Sequence, residues 1–183
     1  MRTHDGFFLR FGLGFGYVSG SADEGGVELS YSATGAAGEL MIGGTPTPGL
    51  VIGGASVALV APEYSTEVSG LGQPFDGEYD VDETLNTSVA GPFLLYYPDP
   101  HGGFNLQTMI GYAQTSTSDS DDDGTSGFGF GLGAGLDGWV GEQWSLGGCA
   151  RFMYMSLSGD GQASDDVDYS GLSFSLSFVA TFH

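Results

Sequence analysis

Residues Ser126–Leu136 read SGFGFGLGAGL, with glycine at every second position and Phe128, Phe130, Leu132, Ala134 and Leu136 between. A helix would scatter these apolar groups around its axis, and each glycine would cost it about 1 kcal/mol relative to alanine. A strand sends successive side chains to opposite faces, so the same stretch makes one face apolar and leaves the other as bare backbone. The fold then depends on which medium each face meets.

The same alternation recurs along the chain and predicts eight extended segments, at about residues 6–18, 28–44, 50–60, 83–97, 103–117, 125–139, 143–158 and 168–182. The connections 45–49 (TPTPG), 98–102 (PDPHG) and 140–142 are short, and the first two carry the proline and glycine of tight turns. Those at 19–27, 61–82, 118–124 and 159–167 are mostly longer and crowded with Asp, Glu, Ser and Gly. A long acidic connection follows every odd strand, which gathers the acidic loops at one end of an up-and-down array.

The parity repeats in other segments. Phe7, Leu9, Phe11, Leu13, Phe15 and Tyr17 share one face of the first, opposite Arg10 and three glycines. In the last, Leu172, Phe174, Leu176, Phe178 and Phe182 oppose Ser173, Ser175, Ser177 and Thr181. Neither face carries much charge. Turning the apolar face inward would wrap a surface of Gly, Ser and Ala around an interior overfilled with Phe and Leu, and eight strands enclose barely enough room for ordinary side chains. A soluble lipocalin- or avidin-like barrel is the competing architecture, and this pattern disfavours it. An outward apolar belt needs lipid, and closure of the sheet satisfies every backbone group within it. The expected fold is all-β: one domain over 1–183, a closed eight-stranded antiparallel up-and-down transmembrane β-barrel.

Composition agrees. The 183 residues contain 34 glycines, 13 phenylalanines and 9 tyrosines, which favour strands over helices. No lysine is present, and Arg2, Arg10 and Arg151 stand against 23 acidic residues, for a net charge of -20. Nucleic acid is excluded as a partner, because phosphate binding draws on Lys and Arg. No apolar run is long enough for a membrane-spanning helix. The N-terminus MRTHDGFFLR lacks a secretory signal, so export implies a signal already removed. Cys149 sits in an apolar run and reads as a small buried residue.

Aromatic residues collect at the two ends of the strands. Phe7, Tyr97, Trp139, Trp144 and Phe182 fall at the short-turn end, and Tyr17, Tyr31, Tyr112, Tyr154 and Tyr169 at the long-loop end. Two such girdles mark the interfaces of a spanning barrel. On these features the chain resembles the small outer-membrane barrels of diderm bacteria, of the outer membrane protein A, X and W types. The C-terminal LSFSLSFVATFH, ending its alternation at Phe182, resembles the terminal aromatic signal read by the barrel-assembly machinery, with His183 as a departure. The resemblance implies residence in the bacterial outer membrane, lipid and the assembly machinery as partners, termini in the periplasm and long loops outside.

Arg10 and Arg151 fall on the inward parity, as do Glu39 and Asp137. Pairing the first two strands across 19–27 sets Arg10 near Glu39, so the expectation is a lumen polar network of Arg10, Glu39, Asp137 and Arg151. It either plugs the barrel or lines a narrow pore. Phe8, Met41, Tyr96, Met109, Met153 and Met155 are candidates to fill the remaining space. Asp119, Asp121 and Asp123 open a calcium-loop pattern, but Phe130 stands where the bidentate Glu belongs, which leaves at most a weak Ca²⁺ site and otherwise no cofactor. His4, His101 and His183 map to the short-turn end, away from the outer rim where lipid-modifying barrels carry a catalytic histidine. The functional expectation is a non-enzymatic structural barrel, or a pore for small solutes or apolar compounds. An adhesin acting through its acidic loops is the further alternative.

Overall fold

The computed structural model describes residue 4 and residues 6–24, 27–69, 77–118, 124–160 and 166–183. The strands are β1 (Gly6–Glu24), β2 (Val27–Thr47), β3 (Leu50–Ala61), β4 (Tyr64–Ser69), β5 (Gly77–Val81), β6 (Leu85–Tyr96), β7 (Phe104–Thr117), β8 (Thr125–Trp139), β9 (Trp144–Asp160) and β10 (Asp166–Phe182). Each barrel strand pairs antiparallel with its neighbours in the order β1-β2-β3-β6-β7-β8-β9-β10, and β10 returns to β1. That closure runs in register from Leu9↔Phe182 to Ala22↔Tyr169. The all-β, closed eight-stranded antiparallel barrel read from the sequence is the fold of the chain.

The segment 61–82, expected as a loop, contains two strands. β4 pairs with β2 from Glu28↔Ser69 to Ser32↔Ser65, and β5 pairs with β4. Together they continue the β3–β6 hairpin beyond the barrel rim, interrupted at Pro62, which has no N–H for the ladder. The connections at 19–27 and 159–167 also shorten, because β1, β2, β9 and β10 all run past the rim.

The apolar parity faces outward. Leu13 and Phe15 are 77% and 76% exposed, and Phe128, Leu132, Leu136 and Phe178 are all more than half exposed. On β1 this belt runs from Phe7 to Tyr17, on β9 from Trp144 to Tyr154 and on β10 from Leu172 to Phe182. Each run is close to the roughly 9–11 residues a tilted strand needs to cross a bilayer.

The bare inner faces of β1 and β8 receive side chains from other strands. A Cβ on Gly12 would lie 2.5 Å from Glu39 Cγ, and one on Gly131 would lie 2.6 Å from Met153 Sδ and 2.9 Å from Met109 Cγ. Gly133 lies under Gln107 and Gly135 under Asn105. Large groups from β2, β7 and β9 thus rest directly on backbone, which lets eight strands enclose a filled interior.

Four girdle assignments change. Phe7, Tyr17, Tyr112, Tyr154 and Trp144 are exposed on the outer surface, and Phe182 packs against Trp144 there, with ring centroids 5.4 Å apart. Tyr97 is wholly buried in the lumen. Trp139 turns inward and stacks on His4. Tyr31 and Tyr169 pack against the apolar core at the long-hairpin end. In each case the residue falls on the inward parity of its strand, and parity outweighs nearness to a strand end. Tyr96, expected as lumen filling, takes the outward position next to Tyr97 and is 46% exposed.

Candidate functional site

The lumen is filled in layers. Nearest the long hairpins, Val18, Val57, Leu59, Val89, Met153, Met155 and Leu157 form an apolar core beneath Tyr31, Tyr64 and Tyr169. The void between Val57, Leu59, Val89, Met153 and Met155 has a volume of about 20 Å³, room for about one water. Four of the five methionines, Met41, Met109, Met153 and Met155, lie in this core, where a flexible thioether fits irregular gaps.

Below it the structure brings Arg10, Glu39, Asp137 and Arg151 into one buried polar layer. Arg10 Nε donates to Thr181 Oγ1 at 2.9 Å, and its Nη2 donates to Asp137 Oδ2 at 2.5 Å and to the Tyr97 hydroxyl at 3.0 Å. Tyr97 in turn donates to Asp137 Oδ2 at 2.7 Å, and Asn105 Nδ2 approaches the same oxygen at 3.3 Å. Arg151 Nη1 pairs with Glu39 Oε2, while its Nη2 donates to Gln107 Oε1 at 2.5 Å. Gln107 Nε2 links back to Asn105 Oδ1 at 3.4 Å and reaches Cys149 Sγ at 3.1 Å. The formal charges cancel, two guanidinium groups against two carboxylates, as a layer sealed from water requires.

The Arg10–Glu39 pair expected from the sequence is therefore corrected. In the β1–β2 register Arg10 sits opposite Met41, and Glu39 opposite Gly12. Arg10 crosses the lumen to Asp137 on β8, and Glu39 is taken by Arg151 on β9. Asn105, Gln107 and Thr181 join the layer from inward positions, Tyr97 belongs to it rather than to the girdle, and His4 of the short-turn end stacks on Tyr97. Their signal is the same alternation: Tyr97 continues Val89, Phe93 and Leu95, and His4 continues the even positions of Phe8 and Arg10.

At the short-turn end an aromatic layer lies across the lumen. The His4 ring stacks on Tyr97 with centroids 3.6 Å apart and planes 7° apart, and lies 4.9 Å from Trp139. His4 Nε2 donates to the Gly102 carbonyl at 2.8 Å, and its Nδ1 lies 3.2 Å from the nitrogens of the His183 ring. Ser145 Oγ lies 3.1 Å from His183 Nε2. The backbone of residue 4 bridges two turns: its N–H donates to Pro100 O, and its carbonyl accepts from Gly49, which adopts a φ of +82°. Burial, followed by the nearby His4 and Arg10, pushes the His183 imidazole down to about 3. His101 lies apart, in an exposed turn where its backbone N–H donates to Asp99 Oδ1 at 3.0 Å.

Asp119, Asp121 and Asp123 lie outside the described residues, so the calcium-loop reading stays an expectation. Among the described residues no group of three or more His, Cys, Asp or Glu side chains is arranged to hold a metal.

By sequence, no protein-family model and no curated protein matches the chain. By structure the result is different. The outer membrane protein OprG from Pseudomonas aeruginosa superposes with a TM-score of 0.61 at 16% identity, covering 99% of this chain and 98% of that one. This chain folds as a small outer-membrane β-barrel. Neisserial surface protein A matches with a TM-score of 0.55 at 14% identity over 96% of both chains. The outer membrane protein AlkL, solved in lipid bilayers, matches at 0.54 and 14% identity over 100% of this chain and 92% of its own. At such identities the likeness is one of fold. This barrel fold characteristically places short turns on the periplasmic side and long loops outside.

Proposed function

We propose that the protein is a non-enzymatic, non-conducting barrel of the outer membrane, a structural anchor that holds its acidic hairpins above the lipid. The observation that carries this reading is the unbroken chain of buried contacts across the lumen, Thr181–Arg10–Asp137–Asn105–Gln107–Arg151–Glu39. An aqueous path would have to break two charge-balanced pairs as well as part the aromatic layer below them. The positions of the histidines support the absence of catalysis, since His4 and His183 are engaged with each other and His101 lies in a turn.

Planar-bilayer recording tests the closed lumen. Wild-type protein is expected to give no stepwise current at high protein load. Unitary conductance that scales with KCl concentration would overturn the reading in favour of a pore.

The apolar upper lumen favours a second reading, passage of an apolar compound past the methionines. It predicts uptake of an apolar fluorophore into proteoliposomes under conditions where ion current stays silent, and filling the 20 Å³ void by Val89→Phe should reduce that uptake.

A further inference from the structure

The outer surface of β1 changes character at Tyr17. Below it stand Leu13 and Phe15; above it, on the same parity, stand Ser19 and Ser21. Neighbouring strands continue the change in register. Ser19 lies opposite Ser32 on β2, Ser32 opposite Ser65 on β4, and Ser65 opposite Asp80 on β5. A second row runs Ser170, Ser21, Ser30, Glu67. With strands about 4.8 Å apart, these rows form a lattice of hydroxyls ending in carboxylates.

The surface is also concave. Two depressions of about 440 and 400 Å³ adjoin on it and share Tyr17, Ser32 and Ser65. Ser65 Oγ donates to Asp80 Oδ1 at 2.9 Å, whereas Ser19, Ser21, Ser30 and Ser32 make no side-chain hydrogen bond among the described residues. Tyr17 is 48% exposed and forms the floor nearest the lipid, beside Leu172.

Hydroxyls that both donate and accept, carboxylates that accept, and a half-exposed aromatic ring are the groups that recognise a sugar, whose hydroxyls bond while its apolar face stacks. The charge selects among sugars. Among the described residues no Lys or Arg lines the groove, and Glu67, Asp80 and Asp82 repel anions, so phosphorylated or sulfated saccharides are disfavoured. The groove is continuous with the apolar belt through Tyr17 and Leu172, so an occupant there has its tail against Phe15 and Phe174. We infer that this groove binds the uncharged sugar headgroup of a glycolipid in the outer leaflet. The inference does not depend on whether the lumen conducts.

The test uses the folded full chain in phosphatidylcholine bicelles titrated with a neutral digalactosyl glycolipid, followed by amide NMR. The Ser19, Ser32 and Ser65 signals are expected to shift saturably. Tyr17→Ala should weaken the apparent affinity about tenfold. Ser32→Leu with Ser65→Leu should abolish the shifts while the heat-modifiable gel mobility of the folded barrel is kept. Three results would overturn the inference. One is no shift, or the same shift with phosphatidylglycerol at matched amounts. Another is binding of soluble digalactose without binding of the glycolipid, which would move the source from lipid to solution. The third is a response only to anionic lipopolysaccharide with Mg²⁺.

Discussion

Glycine in this barrel is a packing residue, and its positions differ in what a methyl group would meet. At Gly131 the added carbon meets Met153 Sδ and Met109 Cγ, both on flexible side chains. At Gly14 it meets the Leu176 carbonyl and the Ser177 backbone of the adjacent strand, which cannot move without breaking the β1–β10 ladder. Gly14→Ala should therefore cost about 2–3 kcal/mol and Gly131→Ala less than about 1.5, read from urea unfolding in lipid vesicles. Equal losses would mean that the methionines pack as rigidly as backbone. The polar layer gives a second contrast. Asp137→Asn keeps the shape but leaves the buried Arg10 guanidinium without its carboxylate, and a loss of about 3–5 kcal/mol is expected. Arg10→Met combined with Asp137→Leu should cost less than the sum of the two single changes, because neither charge is then stranded. Additive losses in that cycle would show that the pair is not coupled.

At the scale of elements, the β4–β5 hairpin is an appendage. Among the described residues it bonds within the sheet only to β2, over Glu28–Ser32, while the barrel closes through β1–β2, β3–β6 and β1–β10. Replacing residues 64–81 by a short turn should leave the heat-modifiable gel mobility and the strand circular dichroism unchanged. Failure to fold would show that the extension helps build the barrel. The hairpin was hard to read in the sequence because its strands are short, lie beyond the lipid, and carry Ser, Thr, Glu and Asp on a face that meets water. The alternation was plain in β1 and β8–β10, where one parity is large and apolar and the other small. It blurred in β3, where Val51, Val57 and Leu59 point inward and Ile52 and Val60 outward, because the upper lumen is itself apolar. The members of the polar layer could be read from parity, but their pairing could not. Arg10 and Asp137 lie 127 positions apart and meet across the lumen, a contact set by barrel radius rather than by strand order.

At the scale of the molecule, the two ends of the barrel wall meet at one seal. Residue 4, just before β1, and His183, just after β10, lie ring to ring over the short-turn mouth, with Ser145 of β9 and the Gly102 carbonyl completing the contact. Protonating His183 would set a charge against the His4 ring 3.2 Å away and beside Arg10. The sign of the pH dependence follows from the His183 shift. The folded value near 3 is below the ordinary 6.5, so between these limits the unfolded chain binds a proton that the folded barrel refuses. The contribution is thus fully present above pH 6.5 and is lost as the pH falls towards 3. Acid also neutralises carboxylates of a chain carrying a net charge of -20, which relieves self-repulsion and acts in the opposite direction. The difference between wild type and His183→Phe isolates the seal. His183→Phe should lose less stability than wild type as the pH falls from 6.5 to 3, so the wild-type unfolding midpoint drops relative to the variant over that range. A constant difference across it would show that His183 titrates alike in the folded and unfolded chains, and that the seal does not depend on its neutral form.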